Sequence, residues 1–60
     1  MMTLAEAGLN CHLARLELSA VRFLLAQAPR DLQLATALEI AKLNVYNADA
    51  DLRVAEMRKR

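Results

Sequence analysis

The single proline, Pro29, stands near the middle of a 60-residue chain and most constrains what the chain can fold into. Inside a helix, proline loses a backbone hydrogen bond and clashes with the preceding turn. On both sides of it, apolar residues recur at alternating spacings of three and four, which is typical of amphipathic helices. The stretch "QAPRD" therefore marks a turn, and the chain is predicted to be an all-α, antiparallel two-helix hairpin.

Local signals mark where each helix begins. In "TLAE", the Thr3 hydroxyl can accept from the Glu6 backbone N–H while the Glu6 carboxylate reaches back to that of Thr3, which is a capping box. After the turn, Asp31 suits either the N-cap or the first turn of helix 2, and Pro29 suits the first helical position. We predict one hairpin domain over residues 1–60, with helix 1 at about 4–27, a turn at 28–31 and helix 2 at about 32–58. Any kink is expected in "NVYNADAD", where poor helix formers cluster.

Helix 1 is apolar on two nearly opposite sides when its residues are placed at about 100° per position. The first stripe, which we predict to form the oligomer interface, comprises Leu4, Ala7, Cys11, Ala14, Leu18, Val21 and Leu25. The second stripe comprises Leu9, Leu13, Leu16, Ala20 and Phe23, with Leu24 beside it. Two polar seams separate the stripes. The basic seam holds His12, Arg15, Ser19 and Arg22, and the acidic seam holds Glu6, Asn10 and Glu17.

Helix 2 repeats this pattern with less symmetry. Its main stripe comprises Leu34, Leu38, Ala41, Val45, Ala48, Leu52 and Ala55. A second apolar edge, the late edge, comprises Leu43, Tyr46, Ala50, Val54 and Met57. A hairpin hides only one stripe from each helix, and a large exposed apolar patch normally marks an interface. Two hairpins related by a twofold axis would bury the second stripe of helix 1 in a four-helix bundle.

The size of the chain also favours a partner. A lone chain of this length buries only about 60% of the surface that its unfolded form exposes. One cysteine cannot form an internal disulfide, and one histidine argues against a metal site. Association with a second chain is the remaining source of stability, and we predict a homodimer.

The hairpin length, the single turn at "APRD" and the alanine and leucine heptads resemble the Rop family. These are short plasmid proteins in which two antiparallel helices dimerise into a four-helix bundle with alternating small and large core layers. The resemblance is architectural and implies the fold. It includes no residue-level motif for an RNA-binding face.

Few residues suggest chemistry. Cys11 and His12 are adjacent, so on a helix they point about 100° apart and cannot bind one metal together. "NADAD" has the oxygen spacing of a calcium loop, but Leu52 stands where glycine should follow. The chain offers no glycine-rich phosphate loop, activated nucleophile or buried carboxylate pair. We expect neither catalysis nor a cofactor.

The composition favours an interaction protein. We predict a small regulator or accessory factor of a phage, plasmid or bacterial operon that docks on another protein. Its predicted partner-binding residues are His12, Arg15, Ser19, Arg22, Tyr46, Val54 and Met57. Two alternatives stay open, a Rop-like RNA or DNA modulator that uses the basic seam, and a subunit of a hetero-oligomeric helical complex.

The predicted location is the cytoplasm. Charges interrupt helix 1 often enough to leave no apolar span of about 20 residues, so we expect no membrane partner. The amino end carries an acid and no base, unlike a signal peptide. The net charge of +1 gives no strong general attraction to nucleic acid.

Overall fold

A computed structural model of the chain describes residues 2–59, and the side chains of residues 2–58. Helix α1 spans Leu4–Gln27 and helix α2 spans Leu32–Lys59. The two helices pack against each other, and the described residues contain no strand. The prediction of an all-helical hairpin is therefore confirmed.

The amino end of α1 is held by the predicted capping box. The Glu6 backbone N–H donates to Thr3 Oγ1 at 3.1 Å, and the Thr3 backbone N–H donates to Glu6 Oε1 at 3.3 Å. Both halves of the motif are present. Thr3 and Glu6 thus satisfy backbone donors that the first turn of a helix otherwise leaves without a partner.

The hydrogen bonds of the turn identify the residue at which α2 is capped. Asp31 Oδ1 accepts from the backbone N–H groups of Gln33 and Leu34 at 2.9 and 3.2 Å, so Asp31 is the N-cap. The Asp31 N–H donates to the Ala28 carbonyl oxygen at 3.0 Å and closes the turn. Pro29 lies within this turn and does not occupy the first position of α2.

Helix α2 is unbroken across "NVYNADAD". In this segment Ala48 is buried with Cys11 and Ala14 of α1, and Val45 and Leu52 pack against that cluster. Packing of this apolar face against α1 outweighs the weak helix propensity of the asparagines and aspartates, because tertiary contacts supply most helix stability in proteins.

The helix–helix contact is built from small residues. The buried apolar residues are Ala7, Cys11, Ala14, Ala41 and Ala48. Small side chains at every seventh position let two helix axes approach closely. No larger side chain among the described residues is fully buried.

The first stripe of α1 is therefore occupied within the chain. Of the residues predicted as the oligomer interface, Ala7, Cys11 and Ala14 are buried and the remaining four are half-buried, namely Leu4, Leu18, Val21 and Leu25. Cys11 and Ala14 pack against Ala48 of the same chain. A second chain would meet the residues on the other sides of the hairpin.

The hairpin exposes more surface than a compact protein of its mass. Its Cα atoms extend over 46 × 14 × 13 Å, and its accessible area is 4838 Å². A compact monomer of 6.7 kDa is expected to expose about 3,900 Å². The excess is about 900 Å². Within residues 2–59, neither helix has an apolar stretch sufficient to traverse a bilayer.

Candidate interaction surfaces

The second stripe of α1 faces away from α2. Leu9, Leu13, Leu16 and Leu24 are each about half exposed, and Phe23 is 64% exposed. With Ala20 between Leu16 and Phe23, members of the second stripe recur every three or four residues along the helix and form one continuous apolar strip, which Leu24 adjoins. A strip of this kind on a soluble protein normally marks an interface.

The late edge of α2 forms a second apolar surface. Tyr46 and Met57 are each 73% exposed, and Leu43 and Val54 are exposed as well. Tyr46 lines a shallow cleft with Asp49, Ala50 and Arg53, whereas Val54 lines a different cleft. The predicted partner-binding residues of α2 therefore lie outside the helix contact, but they do not form one pocket.

All four members of the basic seam are exposed on α1, as their predicted role requires. Arg15 is the one that the structure pairs with α2, because its Nη2 donates to Asp49 Oδ1 at 3.0 Å. Arg15 remains 64% exposed, whereas the Asp49 side chain is 32% exposed. The charge of Arg15 is thus neutralised by its neighbour, and the seam offers less positive potential than its sequence implies.

The same carboxylate oxygen also joins the core. The Cys11 thiol donates to Asp49 Oδ1 at 2.8 Å, so Asp49 accepts from the thiol and from Arg15 at one atom. Cys11 is buried, and this bond is its polar contact to α2. The three residues form a polar link across the helix contact, near the middle of a core that is otherwise apolar.

Each of these three groups has its pKa shifted by the others. Hydrogen bonds from Cys11 and then from Arg15 lower the pKa of Asp49. The hydrogen bond to Asp49, followed by burial, raises the pKa of the Cys11 thiol. The same carboxylate raises the pKa of Arg15 further above its ordinary value. The link therefore favours ionised Asp49 beside protonated Cys11.

We expect the stability of the hairpin to depend on pH through this link. The lowered pKa of Asp49 contributes stability that is present above the ordinary aspartate pKa and is lost as pH falls through the folded-state value. The raised pKa of Cys11 contributes stability that is present below the ordinary thiol pKa and is lost as pH rises through the folded-state value. The free energy of unfolding of the wild type should therefore exceed that of Asp49→Asn by the largest amount near neutral pH. The difference should shrink in acid and in alkali.

Urea unfolding followed by circular dichroism across pH tests this expectation. Asp51→Asn is the matched control, because it makes the same chemical change on a side chain that lines the opposite flank. A difference between wild type and Asp49→Asn that stays constant from acid to alkali would contradict the role of the link.

The opposite flank of the hairpin is also polar. Asn10 and Glu17 of α1 and Asn44, Asn47 and Asp51 of α2 line a shallow groove over the small core residues. The hairpin therefore carries a groove of amide and acidic side chains on one flank and the Arg15–Asp49 pair on the other. Its large apolar side chains lie mainly on the outer sides of the two helices.

The link through Asp49 was not predicted from the sequence. Among the described residues, Asp49 forms its ion pair with Arg15. A signal was available, because folding the chain at Arg30 places positions 11 and 49 at equal distances along the chain from the turn. The sequence placed Cys11 in the first stripe, where the structure buries it, but it did not predict the bond of Cys11 to Asp49.

The oxygen-rich residues of α2 do not converge. Asn47, Asp49 and Asp51 lie within one continuous helix, where successive members of an i, i+2 series point about 200° apart. Among the described residues, no group of three histidine, cysteine, aspartate or glutamate side chains is placed to hold one metal ion.

Comparison of the chain with known protein families, with curated proteins and with solved structures finds no match. Function is therefore inferred from the surfaces of the hairpin.

Proposed function

We propose that this chain is a non-enzymatic protein–protein interaction module that works as a homodimer of hairpins. The dimer is a four-helix assembly joined through its two α1 helices, and it docks on another protein as a small regulator or accessory factor of a phage, plasmid or bacterial operon. Its proposed location is the cytoplasm, where a single reduced thiol is ordinary.

The distribution of apolar side chains carries this proposal. The hairpin buries alanines and one cysteine, whereas it exposes leucines, an isoleucine, a valine, a phenylalanine, a tyrosine and two methionines. Burial of large apolar side chains is the main favourable term in folding and association. A chain that leaves these side chains in water is stabilised by any partner that covers them.

The polarity of the two flanks favours one arrangement of the bundle. A compact square bundle would bury one flank, and with it either the Arg15–Asp49 pair or the groove containing Glu17 and Asp51. Burying a charge that has no partner costs on the order of several kcal/mol. Contact through the second stripe avoids this cost, so α1 of each hairpin lies in the middle of the assembly and α2 lies outside.

The remaining surfaces serve the partner protein. With the second stripe covered, the late edge of α2 and Arg22 of the basic seam stay accessible. Tyrosine and arginine often dominate interface energies, and methionine adapts to irregular surfaces. Tyr46, Met57 and Arg22 are therefore the residues that we propose to contact the partner.

Docking on RNA or DNA is the weaker alternative. Nucleic-acid binding needs a dense field of cations, and in this hairpin Asp49 neutralises Arg15 while Glu39 lies 3.5 Å from Lys42. A hetero-oligomer is the other alternative, in which a helix of another protein covers the second stripe. The exposed second stripe supports it as it supports the homodimer, and the two differ only in the identity of the second chain.

A pull-down from extract of the native cell, combined with sedimentation of the purified chain, tests the proposal. We expect a dimer at micromolar concentration and a captured protein that survives both high salt and nuclease. The variant Arg22→Ala/Tyr46→Ala should lose most of this capture while its thermal midpoint and helicity change little, because exposed substitutions usually alter stability by no more than about 0.5 kcal/mol.

Arg30→Ala is the matched control, because it removes an exposed guanidinium from the turn without touching either surface. Capture that disappears at high salt or after nuclease treatment would favour the nucleic-acid alternative. A well-folded wild-type monomer would reject the homodimer and favour the hetero-oligomer.

A further inference from the structure

We infer that the second stripe pairs with the same stripe of a second copy, with the two α1 helices parallel and the acidic seam of each beside the basic seam of the other. The inference rests on the proposed homodimer and adds the orientation and the residues that set it. It follows from the exposed area of the hairpin, from the position of α2 and from the charges that border the second stripe.

The exposed area is of the size that a second copy would cover. The hairpin exposes 4838 Å², which is about 900 Å² more than a compact monomer of its mass. Each partner in an ordinary protein–protein interface buries about 800 Å². A second copy on this face would therefore leave each chain with about 4,000 Å² exposed, close to the area of a compact monomer of its mass.

Helix α2 leaves the second stripe open along its whole length. It packs on the first stripe, where Ala14 and Cys11 meet Ala48, and the second stripe lies on the opposite side of α1. Leu9, Leu16 and Phe23 recur every seven residues, with Leu13 and Ala20 between them. This heptad spacing is that of a coiled coil, in which the apolar stripe of one helix packs against a similar stripe of a second helix.

The two edges of the second stripe carry different polar residues. His12 lies on one edge and Glu17 on the other, both are exposed, and they are separated by five residues. In a parallel pair of helices, this is the separation at which flanking residues of the two chains meet. His12 of each chain would then lie beside Glu17 of the second copy, and the twofold axis would repeat the contact.

An antiparallel pair would bring like edges together instead. The acidic seam would then face the acidic seam of the second copy, and the basic seam would face the basic seam. Like charges placed opposite each other are unfavourable, and the charges at these flanking positions commonly set helix orientation. Glu6, the other acid of the seam, is held at the end of α1 by Thr3, so the paired face begins at Leu9.

Disulfide formation by single cysteines distinguishes the two orientations. In a Cys11→Ser background, Leu9→Cys and Phe23→Cys are made separately, and each purified protein is oxidised with a glutathione buffer. A disulfide needs Cα atoms within about 7 Å. Positions 9 and 23 lie 14 residues apart, about 21 Å along a helix. In a parallel pair both variants should therefore form covalent dimers.

In an antiparallel pair at most one of these variants can meet itself, and the dominant cross-link should appear only when the two variants are mixed. That result would overturn the orientation while leaving the homodimer intact. Leu16→Cys provides a third position if Phe23→Cys weakens association, and it should also cross-link to itself. Glu39→Cys, on exposed α2, should remain uncross-linked under the same conditions.

Variants at Glu17 and His12 provide a second test of the same orientation. Glu17→Lys should weaken the dimer several-fold because it replaces the carboxylate that can accept a hydrogen bond from His12 of the second copy with a group that only donates. Adding His12→Glu should restore the affinity, because it pairs the new Lys with a carboxylate. Unchanged affinity in Glu17→Lys would overturn the proposed contact. A wild-type chain that sediments as a monomer would overturn both the inference and the homodimer, whereas a dimer with mixed cross-links would overturn the inference alone.

Discussion

The variant Leu13→Asp/Leu16→Asp is expected to be monomeric at concentrations at which the wild type is a dimer. Both leucines are about half exposed on the second stripe, and a dimer would cover two of each. Complete burial of a leucine is worth about 1.5–3 kcal/mol, so the four together contribute several kcal/mol. Replacing them with carboxylates removes this term and adds the cost of desolvating charge. We expect the dissociation constant of the dimer to rise at least about 1,000-fold, equivalent to about 4 kcal/mol.

Sedimentation equilibrium over a range of concentrations measures this loss, and circular dichroism reports whether the hairpin remains helical. Leu32→Asp is the matched control, because it replaces a leucine that is 81% exposed and lies outside both the second stripe and the late edge. The control should associate as the wild type does. A double variant that dimerises with unchanged affinity would show that association uses another face.

The variant Ala7→Leu/Ala41→Leu is expected to lose most of the stability of the hairpin. Ala7 is 0% exposed and Ala41 is 1% exposed, so each leucine would add three heavy atoms where the contact has no room for them. Overpacking of a tight contact costs about 1–3 kcal/mol per site. Small domains have total stabilities at the lower end of about 5–15 kcal/mol, so two such sites remove a large share.

Urea unfolding followed by circular dichroism gives the free energy of unfolding for this comparison. Ala5→Leu, at an exposed position of α1, is the control for helix propensity and should leave the midpoint nearly unchanged. A double leucine variant as stable as the wild type would mean that the helices tolerate a wider separation than the alanine contact indicates.

These two predictions concern opposite sides of α1. The side facing α2 is small and tight, so it responds to added volume. The side facing away from α2 is large and exposed, so it responds to added charge. The amount of apolar surface alone does not reveal this division, because both stripes of α1 are rich in apolar residues in the sequence.

Several features were predictable because they depend on neighbours along the chain. The capping box of Thr3 and Glu6 follows from the reach of two side chains over one helical turn, and the structure contains it. The turn follows from the backbone of Pro29. The two stripes follow from the period of a helix, which fixes the side of α1 on which each residue lies.

The sequence by itself determined where α1 begins and which residues share a side of each helix, because local hydrogen bonding and helical periodicity are sufficient for both. Only the tertiary structure decided which stripe of α1 meets α2, since the two stripes are similarly apolar and the choice depends on how closely the helices pack. Close approach is possible at Ala7 and Ala14, and the bulk of Leu13 and Phe23 prevents it on the other side. The tertiary structure also joined Cys11 to Asp49 across 38 residues, a bond that exists only once the rotation and register of both helices are set.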